Sequence, residues 1–266
     1  MLHVRGHSVS AGWIVLFVTT AGPVAGDERP SPADANSREK VTRIAEGYQL
    51  FLGDDRLPLS MERDPVLRWP NPTRDTAEGS TFLWTLDGRP EAMADVWIRG
   101  GVPTHAFHSF SKSKLLAVHN GQTIWHPEKS GIEFTEFADA PRPDDSAAKR
   151  LGQMKGLARR FTCRIQGRKD GEDLRLLPRP LYRYQTKRSD LLDGALFAFV
   201  QGTDPEVMLV LEALRGVDRS AWQYALTRDS GVGLEADLDG QRIWNVPNSA
   251  GAADEVWYQG IIKTAK

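Results

Sequence analysis

Cysteine is almost absent from this chain. Cys163 is the only one in 266 residues, so no internal disulfide can form and buried apolar surface must hold the fold together. An excess of either charge is absent as well. Thirty-four Lys and Arg face 35 Asp and Glu. That balance speaks against a generic nucleic-acid binder, and no nucleic-acid partner is expected. No apolar run reaches the ~20 residues of a comfortable membrane span, so no span is expected in the mature protein. Enzyme signatures are missing too. There is no Gly-x-Ser-x-Gly elbow, no His-Glu-x-x-His, no phosphate-binding loop and no paired cysteines. No catalytic residue and no cofactor is assigned on this basis.

What the chain does have is aromatic side chains, with eight Trp and ten Phe, and an internal repeat. Leu115–Trp125 reads LLAVHNGQTIW, and Leu234–Trp244 reads LEADLDGQRIW. Each carries Asn-Gly or Asp-Gly between apolar residues, a strong hairpin signal because the primed turn needs φ > 0 at both central positions. Upstream, Gly79–Val96 lies over Gly194–Leu211, with Gly79 over Gly194, Phe82 over Phe197 and Pro90-Glu91 over Pro205-Glu206. Further back, Leu59, Pro65, Arg68 and Trp69 lie over Leu174, Pro180, Arg183 and Tyr184. A four-residue insertion between the hairpins reconciles the blocks, and loops tolerate such insertions.

Residues 1–26 read as a secretory signal: a weakly basic start, the short apolar run Ala11–Ala21, then small residues before Asp27. Residues 27–37 read as a disordered leader. The mature chain is then expected to be exported, periplasmic or secreted. Residues 38–140 and 141–266 are expected to be two α+β repeats, each a helix followed by an antiparallel meander of about five strands. The first helix is expected over Arg38–Leu52, capped by Ser37 and stopped at Gly53. The second begins after Ser146, with Leu151, Met154, Ala158, Phe161 and Ile165 as its apolar stripe.

Four histidines fall between Val102 and Pro127. A single four-His metal site is excluded by spacing. His105 and His108 point to opposite strand faces, and Gln122, paired with His119 across the turn, stands roughly 13 Å from His126. No metal is assigned. His119 lies over Leu238, and His105 is placed over Trp222, both apolar positions. His105 with His119 survives as a candidate ligand-binding pair. Lys149, Arg150, Lys155, Arg159, Arg160, Arg164, Arg168 and Lys169 form either a solvated helix face or an anion-binding patch. Glu91 and Glu206, beside prolines, read as turn chemistry.

The segments FHSF (107–110), Trp125-His126-Pro127, LRLLPRPLYRY (174–184) and GALFAFVQGTDPEV (194–207) resemble an uncharacterised family of exported proteins typical of planctomycete bacteria. That resemblance implies export and carries no assigned activity. The reading is therefore an exported, non-enzymatic binding or interaction protein with an unknown ligand or envelope partner. The alternative is a hydrolase of unknown substrate with its site on the His-bearing first repeat, and a third is a structural envelope component.

Overall fold

The computed structural model describes residues 32–71, 76–167, 173–186, 190–216 and 219–262. Residues 1–26, expected to be a secretory signal, lie outside them. The fold is α+β, mostly antiparallel sheet with two helices among the described residues. No helix among the described residues is long and apolar enough to cross a membrane.

Helix α1 (Pro32–Glu46) is followed by β1 (Tyr48–Leu52), β2 (Leu57–Pro58), β3 (Ser60–Met61) and β4 (Leu67–Asn71). Then come β5 (Thr76–Leu86), β6 (Arg89–Arg99), β7 (Val102–Ser109), β8 (Leu115–His119), β9 (Gln122–Trp125) and β10 (Thr135–Glu136). Helix α2 (Ala147–Ala158) precedes β11 (Phe161–Ile165), β12 (Arg175–Leu176), β13 (Tyr182–Tyr184), β14 (Leu191–Gln201) and β15 (Asp204–Leu214). The chain closes with β16 (Ala221–Arg228), β17 (Leu234–Leu238), β18 (Gln241–Val246) and β19 (Trp257–Ile261).

Both helices end earlier than the apolar spacing suggests, and for one reason. Tyr48, Leu50 and Leu52 alternate buried with more exposed neighbours along β1, and Phe161, Cys163 and Ile165 do so along β11. The side chains at three-and-four spacing are thus shared between a helix and a strand of period two. Gly47 makes the break, with His119 and the Ile44 carbonyl 3.2 Å from where a Cβ would sit. At its other end α1 runs back past Ser37 to Pro32, the first described residue.

The strands do not form single meanders. One large sheet has the order β19-β7-β6-β5-β3 and the other β10-β16-β15-β14-β12, with β4 and β13 also on β5 and β14. Two small sheets, β2-β1-β8-β9 and β11-β17-β18, stand apart from them. Primed-turn geometry joins the small hairpins, with φ of 50° and 74° at Asn120-Gly121 and 51° and 80° at Asp239-Gly240. Trp69 pairs with Gly79 and Tyr184 with Gly194. A Cβ on either glycine would come within 2.6 Å or 2.4 Å of the aromatic ring, so only glycine permits the stacking.

Two edge strands cross over. β10, which follows β9, pairs with β16, while β19, which follows β18, pairs with β7. The large sheets bury both faces, which explains their near-continuous apolar runs. Phe82, Trp84, Ala94 and Phe107 pack with Val41, Leu50, Leu115 and Trp125 in one outer core. Phe197, Phe199, Leu209 and Trp222 pack with Met154, Phe161 and Leu234 in the other. Between the large sheets, Leu83, Met93 and Phe110 meet Leu196, Met208 and Val210.

Candidate functional site: an acid–imidazole cluster under a tryptophan pocket

Asp95 sits in the middle of β6 and His108 near the end of β7. The β6–β7 register, with Asp95 opposite Ala106 and Met93 opposite His108, brings the two side chains to the same face. Asp229 comes from the segment just after β16, where its N–H donates to the Glu206 carbonyl at 2.8 Å. All three are buried, at 4 %, 0 % and 7 % exposure for Asp95, His108 and Asp229.

His108 Nδ1 donates to the Arg228 carbonyl at 3.2 Å, which turns Nε2 towards both acids. Nε2 lies 3.1 Å from Asp95 Oδ2 and 2.7 Å from Asp229 Oδ1. Asp95 is held on its other oxygen by Thr81 Oγ1 at 2.5 Å, and Thr81 by Trp69 Nε1 at 3.2 Å. Asp229 differs. No N–H or O–H group is aimed at either of its oxygens, because the Nε2 hydrogen-bond direction goes to Asp95.

Burial favours the neutral ring of His108. The nearby carboxyl groups of Asp229 and Asp95 outweigh it and push the imidazole up to about 10. Burial, with Asp95 adding to it, drives the Asp229 carboxyl well above its ordinary range against the pull of His108. The cluster thus holds more protons than free Asp and His would at neutral pH.

Above it opens a cavity of about 320 Å³, walled by Trp69, Trp97 and Trp257 and floored in part by Asp95, Asp229 and Ser230. The Trp257 Nε1 and Ser230 Oγ donors are buried without a partner. The pocket draws on both halves of the chain, since the β14–β15 turn contributes Asp204 and Pro205. Aromatic walls give stacking area, and the unpaired polar atoms give points of recognition.

His105 and His119 are also close, by a different route from neighbouring strands. They come from two sheets and meet across Tyr48, their ring centroids 5.6 Å and 4.9 Å from its own. His105 Nδ1 bonds Tyr48 Oη at 2.7 Å, while its Nε2 is buried without a partner. Burial, with His119 adding to it, pushes His105 down to about 4, so a neutral ring sits among Tyr48, Phe107 and Tyr258. Among the described residues, the group with three metal-ligating side chains in reach of one another is Asp95, His108 and Asp229.

Charge elsewhere is spent on internal pairing. Arg150 is buried and bonds Asp193 at 2.9 Å, Arg160 pairs with Asp239, and Arg164 with Asp173 and Asp237. The basic face of the second helix is therefore not one free patch, and Arg168 and Lys169 lie outside the described residues. Glu91 and Glu206 lie in β6 and β15 and are buried, at 3 % and 0 % exposure, which corrects their reading as turn chemistry. Asp95 and Asp229 gave no motif. The legible signal was an acid in the middle of the otherwise apolar stretch Ala92–Ile98.

No protein-family model, curated protein or solved structure matches the chain.

Proposed function

We propose that this is an exported binding protein built from two copies of one α+β unit, with its ligand seat in the tryptophan pocket over Asp95, His108 and Asp229. The observation that carries the binding reading is the aromatic cavity with Trp257 Nε1 and Ser230 Oγ buried at its wall without a partner. A buried polar group left unpaired costs about 1–3 kcal/mol, a cost that a ligand can offset. The two-copy reading draws support from the shared orders β1-β8-β9 and β11-β17-β18, the two primed turns, and the two aromatic–glycine stacks. On this reading the four-residue insertion lies between β15 and β16. The strand register then aligns His105 with Tyr224 rather than Trp222, because Val96 opposes His105 and Leu211 opposes Tyr224. Export rests on the N-terminal signal pattern and on the resemblance to exported planctomycete proteins.

A hydrolase is the second reading. Two carboxyl groups and an imidazole beside a cavity could exchange a proton with a bound substrate, and His108 and Asp95 belong to the first copy. A panel of sugars, amines and carboxylates, followed by tryptophan fluorescence and thermal shift, tests the binding reading. One class is expected to bind wild type and to bind Trp97→Phe more weakly. Binding by no class, or undiminished binding by Trp97→Phe, would discard it. Turnover of a bound compound, lost in Asp95→Asn, would move the conclusion to the hydrolase.

A further inference from the structure

We propose that Asp95 Oδ2, His108 Nε2 and Asp229 Oδ1 together bind a divalent first-row transition-metal ion at the floor of the tryptophan pocket. The proposal deepens the pocket reading by naming what its floor holds.

The geometry makes the case. The three ligand atoms lie within 4.8 Å of one another, and Nε2 is 3.1 Å and 2.7 Å from the two carboxyl oxygens. Two donors in cis positions around an ion at about 2.1 Å are themselves roughly 3 Å apart. The outer contacts are those a metal-binding imidazole and carboxylate use. The Arg228 carbonyl fixes Nδ1–H and leaves Nε2 for the ion, and Thr81 pins the far oxygen of Asp95. Such second contacts orient both ligands, and the one at Nδ1–H raises the basicity of the imidazole.

Asp229 is the independent pointer. Its side chain is fully buried, and neither oxygen receives a hydrogen bond. A cation among the three groups would also hold the Asp229 oxygens, on which no N–H is aligned. One imidazole nitrogen with two carboxylates favours Mn²⁺, Co²⁺ or Zn²⁺ over Mg²⁺ and Ca²⁺, which prefer all-oxygen sites. Three protein ligands leave coordination positions for a ligand entering from the pocket.

The full chain, stripped with EDTA, is dialysed separately against Mn²⁺, Co²⁺, Zn²⁺, Mg²⁺ and Ca²⁺, with bound metal measured by elemental analysis. One equivalent of at least one transition ion is expected, bound at least about tenfold more tightly than Mg²⁺ or Ca²⁺. Asp229→Asn and His108→Gln are each expected to weaken binding at least about tenfold, and His126→Gln, at an exposed position, to leave it unchanged. Should His108→Gln fail to fold, the near-isosteric Asp229→Asn carries the test, with near-ultraviolet circular dichroism as its folding control. No stoichiometric transition metal on wild type, equal affinity for Mg²⁺ or Ca²⁺, or undiminished binding by folded Asp229→Asn would overturn the site. Metal binding without any pocket ligand would keep the site and remove the small-molecule reading. A pocket ligand without metal would do the reverse.

Discussion

Two polar clusters flank the apolar seam between the large sheets, at opposite ends of β6 and β15. One is Asp95, His108 and Asp229. The other is Arg89, Glu91, Glu212 and Tyr184, where Arg89 bonds Glu212 at 2.8 Å and Glu91 at 3.1 Å, and Tyr184 donates to Glu212 at 2.9 Å. Gln223 adds a further bond to Glu212 at 2.6 Å. Burial opposes the charge on Arg89, but Glu212 and Glu91 outweigh it and raise its pKa. On the two-copy reading the clusters face equivalent places, with Trp97 matching Glu212. At one end the charges satisfy each other. The other keeps an acid without a donor beneath three tryptophans. A folding unit gains nothing from an unpaired buried carboxyl, and the proposed binding role would account for the asymmetry.

The sharpest way to break the comparison is to make the satisfied end resemble the other. Arg89→Ala would leave Glu212 and Glu91 buried without their cation, and should cost about 3–5 kcal/mol in urea denaturation. A loss below ~1 kcal/mol would mean that pairing does not distinguish the ends.

The next effect is read from pH. His105 and His108 share β7 but shift in opposite directions. His105 stays neutral when folded, down to about 4. An unfolded histidine titrates near 6.5 and takes up protons first. Its contribution to stability is therefore full above pH 6.5, falls as pH drops towards 4, and levels off below. The slope should integrate to roughly 3 kcal/mol and vanish in His105→Phe. A slope that survives the substitution would place its origin elsewhere.

Asp229→Asn should do far less. It removes an acid that no donor holds, so stability in EDTA at pH 7 should stay within about 1 kcal/mol of wild type or rise. Because the folded Asp229 binds its proton more tightly than the unfolded one, wild type loses stability as pH climbs above the usual carboxylate range, and the Asn variant should not. A large loss in Asp229→Asn would make this end as structural as the other.

His119→Leu places at a half-buried position the residue that the two-copy reading aligns with it, Leu238. Its cost in thermal melts should stay under about 1 kcal/mol. A metal-dependent rise in melting temperature that the substitution abolished would turn this ring into a ligand. The smallest change is expected from Arg160→Ala. Arg160 pairs well with Asp239, but Asp239 is half exposed. The pair should contribute about 0–1 kcal/mol, so burial as well as pairing sets the energy at the Arg89 end. Comparable losses in Arg160→Ala and Arg89→Ala would refute that.

The sequence by itself determined the local pieces. Asn120-Gly121 and Asp239-Gly240 specified tight hairpins, because that φ pair is available to few residues. Alternation and apolar content located β5 to β9 and β14 to β18, and the lone cysteine required a core held by burial. The helix ends were misread because Tyr48 and Leu52, like Phe161 and Ile165, satisfy a helical period and a strand period at once. Only the tertiary structure decided how the strands divide among four sheets, that β10 and β19 cross over, and that Asp95, His108 and Asp229 meet. Asp95 and Asp229 stand 134 positions apart. Nothing local links them; they are joined by sheet register and by the packing of one large sheet on the other. A pattern of nearest neighbours carries secondary structure, whereas a site made at a seam exists only once both of its sides have folded.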